Sequence, residues 1–227
     1  MLITKLLTAK EYRKRSGQAS ASSALRKVYI DDEYAFSLYE RDLESFGLEE
    51  GRELSPELYQ ELLWELVYPR AKQKALALLK HHDRTVAELS KRLAEEGYPE
   101  HIILKTLQYL ADYHYLDDQR YASSYIRSKI ACKSRLFLTA ELTAKGISKD
   151  VIQKVFSEEY EEQEEDPELT ALRKAIQKKN PNHTDLDRKE KQKLMASLYR
   201  KGFSEENIRK VLEEYQSRSF HSEDIFL

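Results

Sequence analysis

The chain has 227 residues, of which 41% are hydrophobic and 34% charged, and its formal net charge is −2. This composition favours several thin helical layers over one thick core, and the balanced charge argues against a free-standing, indiscriminate DNA-binding protein. The single cysteine, Cys132, excludes an internal disulfide and a cysteine-based metal cluster. Charged residues follow the N-terminus too soon for a signal peptide, and no apolar run has membrane-spanning length, so we expect a cytosolic protein without membrane contact.

Opposite charges are segregated along the chain. Residues 1–27 carry seven basic and one acidic side chain, whereas residues 28–69 carry two basic and twelve acidic ones. Residues 117–146 and 171–215 are net basic, and residues 147–170 are net acidic. The pattern predicts separate surfaces of opposite electrostatic character.

The N-terminal part differs in residue pattern from the rest of the chain. Residues 1–27 are predicted to be a basic, flexible segment, whose run Arg13-Lys14-Arg15 could be an electrostatic tether or a tail without a role. Residues 28–69 are predicted to form a hairpin and helix segment. Strand-type residues alternate between Val28 and Leu38, and Asp31-Asp32 supplies the turn.

A helix is predicted to begin at Ser55-Pro56, because serine caps helix N-termini and proline suits the first helical position. Leucines at positions 58, 62, 63 and 66 continue it. Pro69 disfavours the helical conformation at Tyr68, so we expect this helix to break or kink there.

From residue 70 onward the sequence has helical periodicity and repeats one phrase three times: two leucines four residues apart, then a glycine four residues later. The leucines share one helix face, and the glycine stands where a left-handed C-cap would end the helix. Many amphipathic helices end this way, but three copies with matching apolar positions downstream indicate an internal repeat. The residues are Leu89, Leu93 and Gly97; Leu138, Leu142 and Gly146; and Leu194, Leu198 and Gly202.

Each copy is preceded by one helical segment and followed by another, so the repeating unit has three helices. Repeats are predicted over residues 70–116, 117–164 and 165–217, with an insertion at Asn180–His183 and a C-terminal tail over 218–227. One such unit buries a modest core, so neighbouring units are expected to stack. The predicted fold class is mainly α: a tandem array of three three-helix repeats forming an elongated, curved molecule, preceded by a small N-terminal β-hairpin/helix segment.

No pattern in the sequence is typical of an enzyme. The six glycines cannot form a glycine-rich phosphate loop. The six histidines lack ligand-like pairing apart from the adjacent His81 and His82, and the acidic run 158–166 resembles a solvated helix end or linker. We therefore expect no catalysis, no metal and no cofactor.

Two basic clusters could bind phosphates or acidic protein surfaces. In the first, Tyr121 and Tyr125 stand between basic residues on the first helix of the middle unit, where they could stack on bases or pack in the core. The second lies in the third unit and is diluted by acidic residues. The candidates are Arg120, Arg127, Lys129, Lys133 and Arg135 in the first cluster, and Arg188, Lys189, Lys191, Lys193, Arg200 and Lys201 in the second.

Three phrases follow one another in the middle of the chain: a Leu-Asp-Asp-x-Arg-aromatic-Ala phrase, a basic helix, and a Leu-x-x-Lys-Gly-apolar helix end. They are Tyr115–Ala122, Arg127–Lys129 and Glu141–Ile147, and Leu198–Phe203 repeats the last. In order and spacing they resemble the RecX family, regulators of the bacterial RecA recombinase, over residues 28–215. Where the family often has Gly-x-Arg-Arg-Ile, this chain has Lys133-Ser134-Arg135-Leu136-Phe137, so only Arg135 carries over as a basic candidate.

The resemblance implies a non-enzymatic regulator that binds the RecA–single-stranded DNA filament and modulates, mostly by inhibition, its ATPase, strand-exchange and co-protease activities. Weak contacts to successive protomers would add through effective concentration, and we expect a monomer with at most weak direct DNA binding. Two alternatives stay open. A helix-turn-helix-like DNA-binding protein predicts tight, sequence-dependent duplex binding, and a helical-repeat adaptor for another protein predicts no dependence on nucleic acid.

Overall fold

A computed structural model describes residues 1–8, 11, 25–161, 165–181 and 186–223. The Arg13-Lys14-Arg15 run, Asn182-His183 of the expected insertion and part of the acidic run 158–166 lie outside the described residues. The chain divides into two compact units, Met1–Asp117 and Asp118–Leu227. Within the described ranges, no helix combines the length and apolar character needed to cross a lipid bilayer.

The first unit begins with a three-stranded antiparallel sheet of order β1-β2-β3. Its strands are β1 (Ile3–Thr8), β2 (Leu25–Ile30) and β3 (Glu33–Tyr39). The predicted hairpin between β2 and β3 is confirmed. Its turn residues Asp31 and Asp32 have φ values of 49° and 67°, the left-handed conformation that two-residue hairpin turns require and aspartate tolerates.

The sequence predicts a flexible segment over residues 1–27, but the structure contains strand β1 within it. The strand pairs with β2, and Ile3 is fully buried against the rest of the first core. The backbone N–H of Leu2 donates to Asp31 Oδ1 at 2.8 Å, and the ammonium of Lys5 lies 3.2 Å from Asp32 Oδ1. The strand forms because apolar burial and the ladder hydrogen bonds offset the entropy of ordering the N-terminus.

Helical structure follows the sheet in α1 (Glu40–Phe46), α2 (Pro56–Glu61), a π-helical segment (Leu62–Val67) and α3 (Tyr68–His81). The predicted start is confirmed, since Ser55 Oγ accepts from the N–H of Leu58 at 3.2 Å. The helix does not break at Tyr68. The distortion takes the form of the π-helical segment, which ends two residues before Pro69 and whose wider turn accommodates a residue that has no N–H to donate.

An ion pair connects α1 to α3. The guanidinium of Arg70 donates two hydrogen bonds to Asp42, at 2.6 and 2.9 Å. Burial raises the pKa of the Asp42 carboxyl, but the hydrogen bonds from Arg70 and the Tyr39 backbone and the charge of Arg70 outweigh it, so the pKa lies below its ordinary value. The pair fixes the first turn of α1 against the start of the first repeat.

The described helices of the three repeats follow in groups of three. The first repeat comprises α3, α4 and α5, the second α6, α7 and α8, and the third α9, α10 and α11. Their bounds are α4 (Val86–Glu95), α5 (Glu100–Asp112), α6 (Asp118–Lys129), α7 (Arg135–Ala144), α8 (Lys149–Glu161), α9 (Pro167–Lys179), α10 (Arg188–Tyr199) and α11 (Glu205–Glu223). α11 therefore extends into the segment 218–227 that we expected to be a tail.

The three repeated phrases occupy equivalent positions, as predicted. Gly97, Gly146 and Gly202 have φ values of 87°, 84° and 83°. In each case the N–H of the residue after the glycine donates to the carbonyl of the second leucine, at 3.2, 3.1 and 3.4 Å respectively. This is the Schellman closure, in which a left-handed glycine ends the helix and satisfies its last carbonyls. All six leucines are buried, with exposed fractions between 0% and 7%.

Alanine at Gly97 should destabilise the first unit more than alanine at Gly51. Both glycines have positive φ, 87° and 83°, but a Cβ at Gly97 would lie 2.7 Å from Tyr34 Oη, whereas a Cβ at Gly51 meets nothing within 4 Å. We expect Gly51→Ala to cost about 1 kcal/mol from backbone strain. Gly97→Ala should cost about 1 kcal/mol more, because the Tyr34 hydroxyl donates to the Gly97 carbonyl and must move.

Urea unfolding followed by Trp64 fluorescence measures both losses in the same unit, since Trp64 is the chain's only tryptophan. Equal losses in the two variants would contradict the assignment of Gly97 to a packed contact with β3.

Candidate functional site

α6 packs against the rest of the second unit through a narrow row of buried side chains. Ala122 and Ile126 are fully buried in the core that α6 shares with α7 and α8. Residues on either side of this stripe face different neighbours, because helix positions two residues apart point about 200° apart. The predicted basic cluster is therefore divided between two faces.

One face carries a ladder of aromatic rings and ammonium groups. The rings of Tyr121 and Tyr125, one helical turn apart, stack with 6.2 Å between centroids and 15° between planes. The ammonium of Lys145 lies 5.4 Å from the centroid of the Tyr121 ring, and that of Lys129 lies 3.6 Å from the centroid of the Tyr125 ring. Cation–π attraction holds a positive charge at each end of the stacked pair. We call these four residues the tyrosine–lysine face.

The start of α7 extends this face. The ammonium of Lys133 lies 2.6 Å from Glu141 Oε1 and 4.5 Å from the centroid of the Phe137 ring. Burial raises the pKa of Glu141, but hydrogen bonds from Lys133 and Tyr125 and the charges of Lys133 and Lys129 prevail, so the pKa lies below its ordinary 4.5. The Glu141 carboxylate thus interacts with two lysines, Lys133 and Lys129, and with Tyr125.

Arg127 lies on the other face, where it has a structural contact. Its Nε donates to Glu159 Oε1 at 2.8 Å and to Oε2 at 2.6 Å, and the hydroxyl of Ser123 donates to Oε1 at 2.6 Å. The Glu159 side chain is only 3% exposed, whereas that of Arg127 is 60% exposed. The pair neutralises a buried carboxylate on α8, so the structure does not bring Arg127 together with Lys129.

The two other candidates of the first cluster are exposed. Arg120 lies on the solvent side of α6. The guanidinium of Arg135, at the start of α7, lies 5.0 Å from the centroid of the Phe156 ring and 5.5 Å from that of Tyr160. Arg135 therefore covers the end of α8 and does not join the tyrosine–lysine face.

The second predicted cluster is also divided. Arg188, Lys189 and Lys193 are exposed on α10, and Lys191 is partly buried. Arg200 and Lys201 are exposed beyond the C-terminal end of this helix, about 18 Å from its start at 1.5 Å per residue. The six basic residues are thus spread along one helix, with Arg188 and Lys189 at its start, Lys191 and Lys193 near its middle, and Arg200 and Lys201 beyond its end.

Lys145, Glu141 and Glu159 are residues of this region that were not among the candidates predicted from the sequence. The four-residue spacing of Phe137, Glu141 and Lys145 was visible and indicates one helix face. Nothing in the sequence shows that this face lies against that of Tyr121 and Tyr125. Within the described ranges, no three His, Cys, Asp or Glu side chains converge as metal ligands.

Arg127→Ala should destabilise the protein, because it leaves the Glu159 carboxylate buried without its charge partner. Arg127 is 60% exposed, so solvent screening reduces the expected loss to about 1–2 kcal/mol. Adding Glu159→Gln should recover part of it. The matched control Lys174→Ala, at an exposed position of α9, should change stability by less than about 0.5 kcal/mol. Urea unfolding followed by circular dichroism measures all four proteins, and a loss no larger than the control's would refute the structural role.

The stabilising effect of Glu141 should depend on pH. Its pKa is lower in the folded protein than the ordinary 4.5, so its contribution is present above that value and is lost as the pH falls through the folded pKa. We expect wild type to exceed Glu141→Gln by about 1 kcal/mol at neutral pH and the difference to vanish in acid. A pH-independent difference in unfolding free energy would contradict the ion-pair assignment.

Family models match the chain in three places. The model for the first three-helix domain of RecX matches residues 71–110, that for the second matches 117–155, and that for the third matches 166–212. Each range falls within one three-helix repeat of the structure. The repeats are therefore similar to three distinct domains of one family.

Curated relatives match along most of their length. Regulatory protein RecX of Caldanaerobacter subterraneus subsp. tengcongensis is 30% identical over 186 residues, which cover 82% of this chain and 90% of the relative. Regulatory protein RecX of Clostridium acetobutylicum is 31% identical over 195 residues, which cover 85% of this chain and 90% of the relative.

Solved structures share the fold. A crystal structure of regulatory protein RecX aligns with a TM-score of 0.59 at 24% identity, covering 93% of this chain and 98% of the other. The crystal structure of RecX from Lactobacillus salivarius aligns with a TM-score of 0.57 at 23% identity, covering 66% and 96%. With three matching domain models and relatives of at least 30% identity over most of their length, this chain belongs to the RecX family of regulatory proteins.

Proposed function

We propose that this chain regulates a RecA recombinase by binding the filament that the recombinase forms on single-stranded DNA. It restrains ATP hydrolysis, strand exchange and co-protease activity by occupying the filament, without catalysing a reaction itself. It acts in the cytoplasm, as a monomer. The observation that carries the proposal is the tyrosine–lysine face of the middle repeat, present in a chain of a regulatory family.

The tyrosine–lysine face has the chemistry of a surface for single-stranded nucleic acid. Proteins that bind such strands combine cations along the backbone with aromatic rings against which bases stack. Here Lys129 and Lys145 lie at the two ends of the stacked pair Tyr121–Tyr125. The charges are therefore spaced along the ring stack, as phosphates are spaced along stacked bases.

The three similar repeats of this chain suit a partner that is itself a repeating filament. A helical filament presents the same surface at regular intervals, and a chain of similar units can contact successive protomers. Weak individual contacts suffice, since linked contacts add through effective concentration. The three Schellman-closed repeats give one chain three copies of a similar framework, with different side chains on each.

The charge distribution supports a protein-coated strand as the target in preference to bare DNA. The net charge is −2, and residues 28–69 carry twelve acidic and two basic side chains. Such a chain is repelled by a bare polyanion outside its basic faces. Acidic segments can instead meet basic patches of a protein partner. This favours the filament over the helix-turn-helix alternative.

Neutralising three cations of α6 and of the end of α7 should weaken filament binding and reduce its salt dependence. Arg120, Lys129 and Lys145 are the residues to change to glutamine, since Arg127, which we first grouped with Arg120 and Lys129, is tied to Glu159. We expect affinity for RecA-coated single-stranded DNA to fall about tenfold or more, and the slope of log affinity against log salt to fall by about 2.

The matched control replaces Lys149, Lys174 and Lys210 by glutamine. These residues are exposed in the same unit, so the control loses the same charge away from the tyrosine–lysine face. An unchanged slope in the first variant, or equal effects in both, would contradict the assignment of this face.

Recombinase ATPase on single-stranded DNA, with the purified chain titrated in, tests the regulatory activity directly. Inhibition well below one regulator per protomer would indicate capping of growing filament ends, and stoichiometric inhibition would indicate occupancy along the groove. No effect on ATPase would contradict the proposal.

Gel shifts with bare duplex and bare single strand test the two alternatives. Tight, sequence-dependent binding to duplex would favour the helix-turn-helix alternative. Binding to a protein partner without any dependence on nucleic acid would favour the adaptor.

A further inference from the structure

The carboxylate of Glu141 lies among the cations next to the tyrosine–lysine face. Its Oε1 is 2.6 Å from the ammonium of Lys133, and the same side chain also interacts with Lys129 and with Tyr125. The side chains of Glu141 and Lys133 are 28% and 31% exposed, so neither is sealed inside the unit. An anion of the protein itself therefore stands where this face meets solvent.

The partners of Glu141 are the groups that a phosphate of a bound strand would use. Carboxylates and phosphates are both anions that accept hydrogen bonds from ammonium and hydroxyl groups. Lys133, Lys129 and Tyr125 are such donors, and each already interacts with Glu141. A phosphate that approaches them is repelled by the carboxylate charge and has to share or replace an existing ion pair.

The fold does not require a carboxylate at this position. Glu141 stands five residues before the repeat glycine, and the equivalent residues are Arg92 in the first repeat and Ser197 in the third. Arg92 pairs with Glu96 at 2.8 Å, and Ser197 accepts from the ammonium of Lys179 at 2.8 Å. Among the three repeats, the carboxylate thus occurs in the one that carries the tyrosine–lysine face.

We propose that Glu141 competes with strand phosphates for the cations of this region and thereby limits the affinity of the tyrosine–lysine face for single-stranded nucleic acid. The inference rests on the proposed function, because it takes this face as the strand-binding surface. A single strand contact is kept weak, so that stable binding requires several linked contacts of the kind a filament offers. Glu141 in this way disfavours occupation of isolated strands.

Competition by Glu141 and structural support by Glu141 predict opposite changes in binding. The ion pair with Lys133 stabilises the second unit, so a purely supporting role predicts that its loss loosens the face and weakens strand binding. Competition predicts that the loss releases Lys133 and Lys129 for phosphates and strengthens strand binding. The direction of the change in affinity therefore separates the two roles.

The test measures binding of the full chain to a fluorescein-labelled oligothymidine by fluorescence anisotropy at low salt, without recombinase. Glu141→Gln removes the charge and keeps the shape of the side chain. We expect it to bind about three- to fivefold more tightly than wild type, as the loss of one partly exposed ion pair allows. The slope of log affinity against log salt should become steeper by about 0.7, the value for one additional phosphate contact on a single strand.

Two further variants control for the general loss of negative charge and for disturbance of the face. Glu206→Gln removes an exposed carboxylate of α11 in the third repeat and should change the affinity by less than about twofold, because salt screens distant charges. Glu141→Asp keeps the charge on a shorter side chain, so its salt slope should stay closer to that of wild type than to that of Glu141→Gln. Unfolding midpoints check that each variant is folded at the assay temperature.

The inference is overturned if Glu141→Gln binds no more tightly than Glu206→Gln, or if Glu141→Asp gains as much affinity as Glu141→Gln. Absence of measurable binding in wild type and in all variants also overturns it, while the filament experiment still tests the proposed function.

The variant with Arg120, Lys129 and Lys145 changed to glutamine distinguishes the two failures. If this variant loses affinity for RecA-coated strands while Glu141→Gln binds like wild type, only the competition by Glu141 is wrong. If neither variant changes binding, the tyrosine–lysine face is not the strand-binding surface, and both proposals fail.

Discussion

The closing turn at each repeat glycine is the constraint on which the rest of the structure depends. Gly97, Gly146 and Gly202 take positive φ values that other residues adopt at a cost. The turn they form directs the chain into the next helix while two buried leucines hold the preceding helix on its core. The second helix of each repeat therefore ends in the same hydrogen-bonded turn, whatever side chains cover the outside.

On this common framework the cations of the middle repeat lie in different environments. Lys129 and Lys145 lie over tyrosine rings, to which cation–π attraction holds them. Arg127, two positions from Lys129 in sequence, instead neutralises the buried carboxylate of Glu159. The difference follows from helix geometry, because residues two apart point to nearly opposite sides. A basic run in a helical sequence is thus not one surface, and its members cannot be assigned a common role from spacing alone.

The junction between the second and third repeats shows how a repeat architecture brings side chains of two repeats together. The Ser134–Lys201 hydrogen bond and the close approach at Gly202 are structural contacts, and they place Leu136 near Tyr199 at the edge of one groove. The tyrosine–lysine face is aromatic and charged, whereas the lining of this groove includes the apolar Leu136 and Phe203 together with one arginine and one glutamate. A chain with a net charge of −2 can in this way present two chemically different surfaces within one unit.

The amino-acid sequence by itself determined the helical repeats, the glycine that ends each second helix, and the Asp31-Asp32 hairpin turn, because each depends on local backbone preference or on the periodicity of apolar residues. Only the tertiary structure decided that the N-terminus adds β1 to the sheet, that Arg127 meets Glu159, and that Lys145 meets Tyr121. These contacts join residues distant in sequence, and many helix arrangements satisfy the same periodicity. The choice among them is made by packing and by the pairing of buried charges, which no local pattern encodes.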